Sequence, residues 1–190
     1  MSYGETTLIL IGGLPCTGKT TIATYIAQSL SVPWMGKDSY KELLFDTLGC
    51  RDRVWSQQLG HASIELLFQF AERQLAAKAS CIIESNFRAD LDTVRILRLK
   101  QQYAFQMVQI HCITDGYVLC ERFKRRAESG ERHRGHCDHL NYEEFQPRLL
   151  TGRVEPLPIE GHLMEVDTTN FAAIPYAPLL QVIREVQTAV

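Results

Sequence analysis

Short β-branched runs alternate along the chain with longer stretches in which apolar residues recur every three or four positions. The short runs predict strands near 7–12, 33–37, 80–85, 105–113 and 162–167. Between and after them the helical spacing predicts helices near 18–30, 38–49, 56–79, 90–103, 115–129 and 175–188. Strands apolar on both faces and separated by helices belong to a parallel sheet covered on both sides, so the fold class is α/β. Ile22, Ile26 and Leu30 form the inward stripe of the first helix, which Pro33 prevents from continuing far. Ile64, Leu67, Phe68, Ala71 and Leu75 mark the clearest stripe, that of the third. Ser39-x-x-Glu42 reads as a capping box for the second helix and Gly49 as its stop, while Asp90 and Asp115 read as N-caps of the fourth and fifth. Residues 130–140 carry two glycines, three histidines and no apolar period, which predicts a loop; Asn141-x-x-Glu144 then reopens a helix whose course Pro147 leaves open.

The junction of the first strand and first helix carries the strongest chemical signal. Gly13-Leu14-Pro15-Cys16-Thr17-Gly18-Lys19-Thr20 matches G-x-x-x-x-G-K-[ST] in the strand–loop–helix setting that pattern requires. Glycines let the backbone wrap an anion, and the helix that follows aims its unpaired N–H groups at the same point. The expected nucleotide contacts are Gly13, Leu14, Pro15, Cys16, Thr17, Gly18, Lys19, Thr20 and Thr21, with Lys19 reaching the β and γ phosphates and the Thr20 hydroxyl holding Mg²⁺.

Three further groups fall where strand ends should gather around that loop. Asp38, after the second strand, is placed to take the proton of an acceptor hydroxyl, and the alternative is a helix cap. Glu84, ending Cys81-Ile82-Ile83-Glu84, could hold a Mg²⁺-bound water or orient the acceptor, or pair with an arginine; which of Asp38 and Glu84 is the base stays open. Asn86 and Arg88 sit where the acceptor would lie, and Tyr40, Trp55, Gln58 and His61 are either acceptor contacts or packing.

Charge then adds a lid. Arg122, Lys124, Arg125, Arg126, Arg132 and Arg134 crowd into one short segment of a chain with 20 Lys plus Arg. Arg122 and Arg126 share a helical face and point to the transferring phosphoryl group, while Arg132 and Arg134 lie in the glycine-bounded loop; the plain alternative is a solvated helix. His133, His136, Asp138 and His139 match no familiar zinc spacing and suit hydrogen bonding from that lid better.

Composition narrows the setting. A length of 190 residues with 45% apolar content suits one compact domain, 1–190, with a lid at about 122–140. A formal charge of −2 gives no global attraction to nucleic acid or to an anionic membrane. Six cysteines without a C-x-x-C pair read as reduced thiols; with no basic leader and no run of about 20 apolar residues, a soluble cytoplasmic protein is expected. The oligomeric state stays open, a homodimer included.

No N-K-x-D occurs, the D-x-x-G at Asp46-Thr47-Leu48-Gly49 closes a predicted helix instead of directly following a strand, and the third strand ends in one acid instead of the paired acids of motor ATPases. The loop, Asp38, Glu84-Ser85-Asn86-Phe87-Arg88 and the arginine-rich segment together resemble the small P-loop kinases labelled AAA-type ATPases, relatives of chloramphenicol phosphotransferase and the zeta toxins. That resemblance implies a five-stranded parallel sheet of order 2-3-1-4-5 with helices on both faces. It also implies ATP with Mg²⁺, phosphorylation of a small-molecule hydroxyl with Asp38 as base, and adenine against Asp167-Thr168-Thr169-Asn170. The sequence lacks the D-G-[FY]-P-R of nucleoside monophosphate kinases, which argues against a nucleotide acceptor. A polynucleotide 5′-hydroxyl or nucleotide-sugar kinase, or a regulatory module that hydrolyses ATP slowly, stands as the alternative.

Overall fold

The computed structural model describes residues 5–130, 133–136 and 142–188. Five strands, β1 (Thr7–Gly13), β2 (Trp34–Gly36), β3 (Cys81–Glu84), β4 (Gln106–Ile113) and β5 (His162–Asp167), form one parallel sheet of order β2-β3-β1-β4-β5. The helices are α1 (Lys19–Leu30), α2 (Lys37–Leu48), α3 (Arg53–Ala76), α4 (Ala89–Gln102), α5 (Gly116–Glu128), α6 (Tyr142–Leu150) and α7 (Tyr176–Thr188). Among the described residues no helix is long and apolar enough to cross a membrane.

Every residue of β1 is buried, and its period-two alternation feeds two cores. Ile9 and Ile11 pack with Ile82, Val108 and Ile110 against Ile22 and Ile26 of α1 and Leu179 and Ile183 of α7. Leu8 and Leu10 face the other way, onto Leu67, Ala71 and Leu75 of α3 and Ile96 and Leu99 of α4. Each such side chain, fully buried, contributes roughly 1.5–3 kcal/mol. Cys81 and Cys112 lie in these layers, and burial pushes both thiols up to about 12.

Local capping differs from the sequence expectation in three helices. The second helix begins at Lys37, directly after β2, with Gly36 at the cap and no side-chain cap bond. Ser39 therefore lies inside the helix and the Ser39–Glu42 capping box does not form; β2 ends so close to α2 that no residue is left to precede it. Helix α3 starts earlier than expected because Asp52 accepts from Trp55 N at 2.8 Å. In α4 the cap position falls on Arg88, and Asp92 reaches back to accept Arg88 N at 2.8 Å. Asp90 pairs with the Arg88 side chain instead, because its carboxylate finds a guanidinium two residues away. Asp115 caps α5 as expected, accepting from Tyr117 N and Val118 N, and Gly49 ends α2 at φ +84.

The segment between α6 and β5 packs against β4 and is pinned by a reciprocal pair, Gln109 Nε2 to Leu157 O at 3.1 Å and Leu157 N to Gln109 Oε1 at 2.8 Å. His111, two residues on, is 2% exposed, and its Nε2 has no hydrogen-bond partner among the described residues. Desolvation lowers its pKa below the usual histidine value, against a bond with the backbone of Val154. The folded state therefore resists a proton that the unfolded chain accepts, so stability is lost as pH falls below about 6.5. Urea unfolding at pH 7.5 and 5.5 should show this loss in the native chain and a smaller one in His111→Gln; equal losses would assign the acid sensitivity to other groups.

Candidate active site

Gly13 closes β1 at φ +140, where a Cβ would stand 2.5 Å from Cys112 O. The loop 14–18 then folds back on one carbonyl. Leu14 O accepts from Lys19 Nζ at 2.7 Å and from Thr17 Oγ1 at 2.8 Å. The Leu14 side chain is fully buried against Leu119, Phe123 and Leu149, which ties the loop to α5 and α6. Gly18 sits at φ +79, and α1 opens with a bond from Ile22 N to Gly18 O at 3.1 Å. The amides before Ile22 have no helical partner and open on the loop.

These residues form one wall of a cavity of about 810 Å³, through Pro15, Cys16, Gly18, Lys19, Thr20 and Thr21. Lys37, Asp38, Ser39 and Glu42 from α2, with Glu84, Ser85 and Asn86 at the end of β3, form the opposite wall. The sheet sets this juxtaposition: Gly36 is in register with Glu84, and Glu84 with Ile11. Thr20 Oγ1 donates to Glu84 Oε2 at 3.1 Å, bringing together two hard oxygens of the kind Mg²⁺ takes alongside water. The donor set fits that ion.

The third wall is cationic and aromatic: Arg122, Arg125 and Arg126 with Phe123, Phe145 and Phe171. Arg122 Nη2 donates to Thr168 O at 2.9 Å and Thr169 O at 2.8 Å, and its guanidinium lies 4.0 Å from the Phe171 ring centroid. Desolvation pulls its pKa below the usual arginine value, although an arginine there stays charged. Phe171 begins a 3-10 turn that Asn170 caps through Ala172 N, and its ring closes over Gly18, where an added Cβ would lie 2.4 Å from Cε1. Loop residues 133–136 dock on α2. His133 Nε2 lies 3.1 Å from Asp46 Oδ1, and His136 Nε2 lies 2.9 Å from Glu42 Oε1.

A family model for the AAA domain matches residues 8–148. The chain belongs to this AAA domain family. A candidate kinase from Chloroflexus aurantiacus is 38% identical, with 96% of each chain covered and a TM-score of 0.85. A sugar kinase from a Janibacter species, 15% identical with 96% of this chain and 94% of its own covered, has a TM-score of 0.56. Shikimate kinase from Acinetobacter baumannii, 13% identical over 96% and 95%, has a TM-score of 0.51; these two share the fold. Comparison with curated proteins gives no significant match. The fold is that of P-loop NTPases of the kinase type, as the order 2-3-1-4-5 and the loop motif predict.

Within this AAA domain the sequence-predicted residues separate into those that face the cavity and those that hold others in place. Pro15, Cys16, Gly18, Lys19, Thr20, Thr21, Asp38, Glu84, Asn86, Arg122 and Arg126 line it; Gly13, Leu14 and Thr17 shape the loop behind. Thr168 and Thr169, expected at the adenine, do not line it. Thr168 is fully buried, bonded to Thr114 Oγ1 at 2.6 Å, and both threonines offer their carbonyls to Arg122. Arg88, expected at the acceptor, points outward, with Nη2 2.6 Å from Asp90 Oδ2. That hydrogen-bonded partner raises the Arg88 pKa. Arg132, the Arg134 side chain, Cys137, Asp138, His139 and Asn141 lie outside the described residues. Phe171, Lys37, Glu42 and Arg125 also line the cavity, although the sequence offered Glu42 only as part of a capping box and Arg125 only as one of the basic cluster. Phe171 lies in an irregular segment with no period to reveal it; Lys37 adjoins Asp38 and was legible only as its neighbour.

Gly18→Ala in the AAA domain should cost about 1–2 kcal/mol through the left-handed φ alone, with a further loss as the methyl group displaces Phe171. Thermal melting of Gly18→Ala, Phe171→Ala and the double variant separates the two: the double variant should regain the steric part and keep the backbone penalty. Strict additivity would mean that the Phe171 contact carries none of the cost.

Proposed function

We propose that this protein is an ATP-dependent phosphotransferase that moves the γ-phosphoryl group to a hydroxyl of a small molecule. The observation that carries the reading is the placement of Asp38 on the same cavity as Lys19 and the Thr20–Glu84 pair, with Glu84 engaged by Thr20 and Asp38 on the α2 side. Thr20 and Glu84 would hold Mg²⁺, which when bound offsets phosphate charge.

The chain's own groups then divide the work. Loop amides and Lys19 hold the β and γ phosphates, and Arg126 with Arg125 faces the charge that spreads over the phosphoryl oxygens. Arg122 bonds the Thr168 and Thr169 carbonyls and lies on the Phe171 face, contacts that favour a role beside the nucleotide's base over one at the γ-phosphate. The acceptor oxygen attacks phosphorus as its proton passes to the Asp38 carboxylate. The bond from phosphorus to the bridging oxygen breaks, and ADP leaves with that electron pair. The Thr20–Glu84 bond supports Glu84 as the carboxylate on the metal side and so favours Asp38 as the base.

A transfer screen with γ-labelled ATP and Mg²⁺ over sugars, antibiotics, nucleosides and 5′-hydroxyl oligonucleotides tests the reading. Asp38→Asn should keep ATP affinity and lower transfer about 10²–10⁴-fold, the range for loss of a general base. Lys19→Ala should lose most transfer at an unchanged melting temperature. Full transfer by Lys19→Ala would sink the assignment; unchanged turnover with lower stability in Asp38→Asn would make Asp38 a structural group only.

A further inference from the structure

The phosphotransfer reading identifies the donor by its phosphates, and the far end of the cavity bears on its base. In-line attack puts the acceptor and the leaving nucleoside diphosphate on opposite sides of the γ-phosphorus. With Asp38 on the α2 wall, the nucleoside lies toward the wall of α5 and the turn at Phe171, past Gly18, over which the Phe171 ring closes. Selectivity for one base then depends on the polar groups that face this end.

The chain after β5 turns its polar groups into the fold. Thr168 N donates to Ile113 O at 2.8 Å, and the Thr168 hydroxyl lies 2.6 Å from Thr114 Oγ1 and donates to Ile113 O at 2.9 Å. Thr169 N donates to Asp167 Oδ1 at 2.8 Å, and Thr169 Oγ1 accepts from Asp115 N at 2.9 Å. The carbonyls of both threonines accept from Arg122 Nη2, and Asn170 Oδ1 caps the turn that follows. Of residues 167–173 only Phe171 lines the cavity, with a ring, and the residue is 43% exposed. The carboxylates of the cavity, Asp38, Glu42 and Glu84, and its side-chain amide, Asn86, stand on the opposite wall.

Arg122 is the polar group in contact with this ring. Its Nη2 is taken up by the two carbonyls, whereas Nη1 is buried and has no hydrogen-bond partner among the described residues. A buried donor of this kind is explained by an acceptor that arrives with a ligand. A guanidinium only donates, so it cannot select the exocyclic amino group that marks adenine. It can meet N7, an acceptor that adenine and guanine share, and guanine adds O6 beside it. An aromatic face is equally indifferent, since every base stacks on it.

We propose that the donor site takes purine nucleoside triphosphates without preferring adenine to guanine, the purine being held by the Phe171 ring and by Arg122 Nη1 at N7. The inference rests on the nucleotide part of the phosphotransfer reading and is independent of the acceptor and of the role of Asp38.

Calorimetric titration of the full chain, in Mg²⁺, with ADP, GDP, CDP and pyrophosphate tests it, pyrophosphate supplying the phosphates without a base. One base-selective hydrogen bond is worth about fivefold in affinity, so GDP should bind no more than about that much weaker than ADP. CDP, which has a single ring and no N7, should bind more weakly than both. Phe171→Ala should weaken ADP and GDP alike by about tenfold and leave pyrophosphate unchanged, which shows the loop intact, while Phe171→Tyr should keep the native affinities. An adenine preference beyond about fivefold, CDP binding equal to that of ADP, or a Phe171→Ala loss that is absent or confined to ADP would overturn the inference. Tight ADP with weak GDP sinks only the base assignment, whereas failure of pyrophosphate and all three nucleotides to bind sinks the nucleotide reading and this inference with it.

Discussion

Parallel pairing of β1 with β3 on one side and β4 on the other brings the chemical groups to one edge of the sheet. In a parallel sheet every strand ends at the same edge, and the ladder fixes where each end falls. Ile11 is in register with Glu84, Gly13 with Cys112, and Gly36 with Glu84. Ser85 N donates to Ile11 O at 3.2 Å, carrying the ladder one residue beyond β3. Glu84 thus meets Thr20 because backbone bonds hold both strands, and Lys37 and Asp38 follow because α2 begins where β2 stops. The apolar residues of β1, none of them exposed, protect that register, since a one-residue slip would exchange its two cores.

Leu14 carries this order from the sheet to the cationic wall. Its carbonyl gathers Lys19 and Thr17, while its side chain anchors α5 and α6 through Leu119, Phe123 and Leu149. A buried charge needs partners, and the loop supplies them from the backbone. Lys19, 6% exposed, rests on a carbonyl, as does Arg122 on two. Neutral acceptors of this kind hold the cations without cancelling their charge, which leaves the field available to an anion. A carboxylate in place of the Thr168 and Thr169 carbonyls would neutralise the wall it positions.

What the sequence discloses follows from whether a feature is periodic or local. All five strands, their order through the family resemblance, and the loop were legible, because β-branched runs and the G-x-x-x-x-G-K-[ST] spacing are short-range patterns. The caps of α2 and α4 were not, since Ser39 and Asp90 have the right side chains in the wrong frame: the one lies past the end of β2, and the other has an arginine two residues away. The bonds from Arg122 to the Thr168 and Thr169 carbonyls were not legible, because only the fold brings those carbonyls to an arginine 46 and 47 residues earlier in the chain. Phe171 joins separate elements and leaves no local trace.

Helix α2 makes long-range contacts of the same kind. It carries Lys37, Asp38 and Glu42 on the cavity, and a turn further on it offers Phe45 and Asp46 to residues 133–136. His133 stacks on the Phe45 ring at 5.5 Å, and Gly135 approaches it so closely that a Cβ would stand 2.4 Å from Cδ2. Ser56 Oγ donates to Gly135 O at 3.3 Å and accepts from Lys41, so residues 133–136 and Lys41 share one hydroxyl. Glycine at 135 is what lets this stretch lie against the Phe45 ring, since any side chain there would have to displace it. Helix α2 thus packs on two sides, lining the cavity through Lys37, Asp38 and Glu42 and holding residues 133–136 through Phe45 and Asp46.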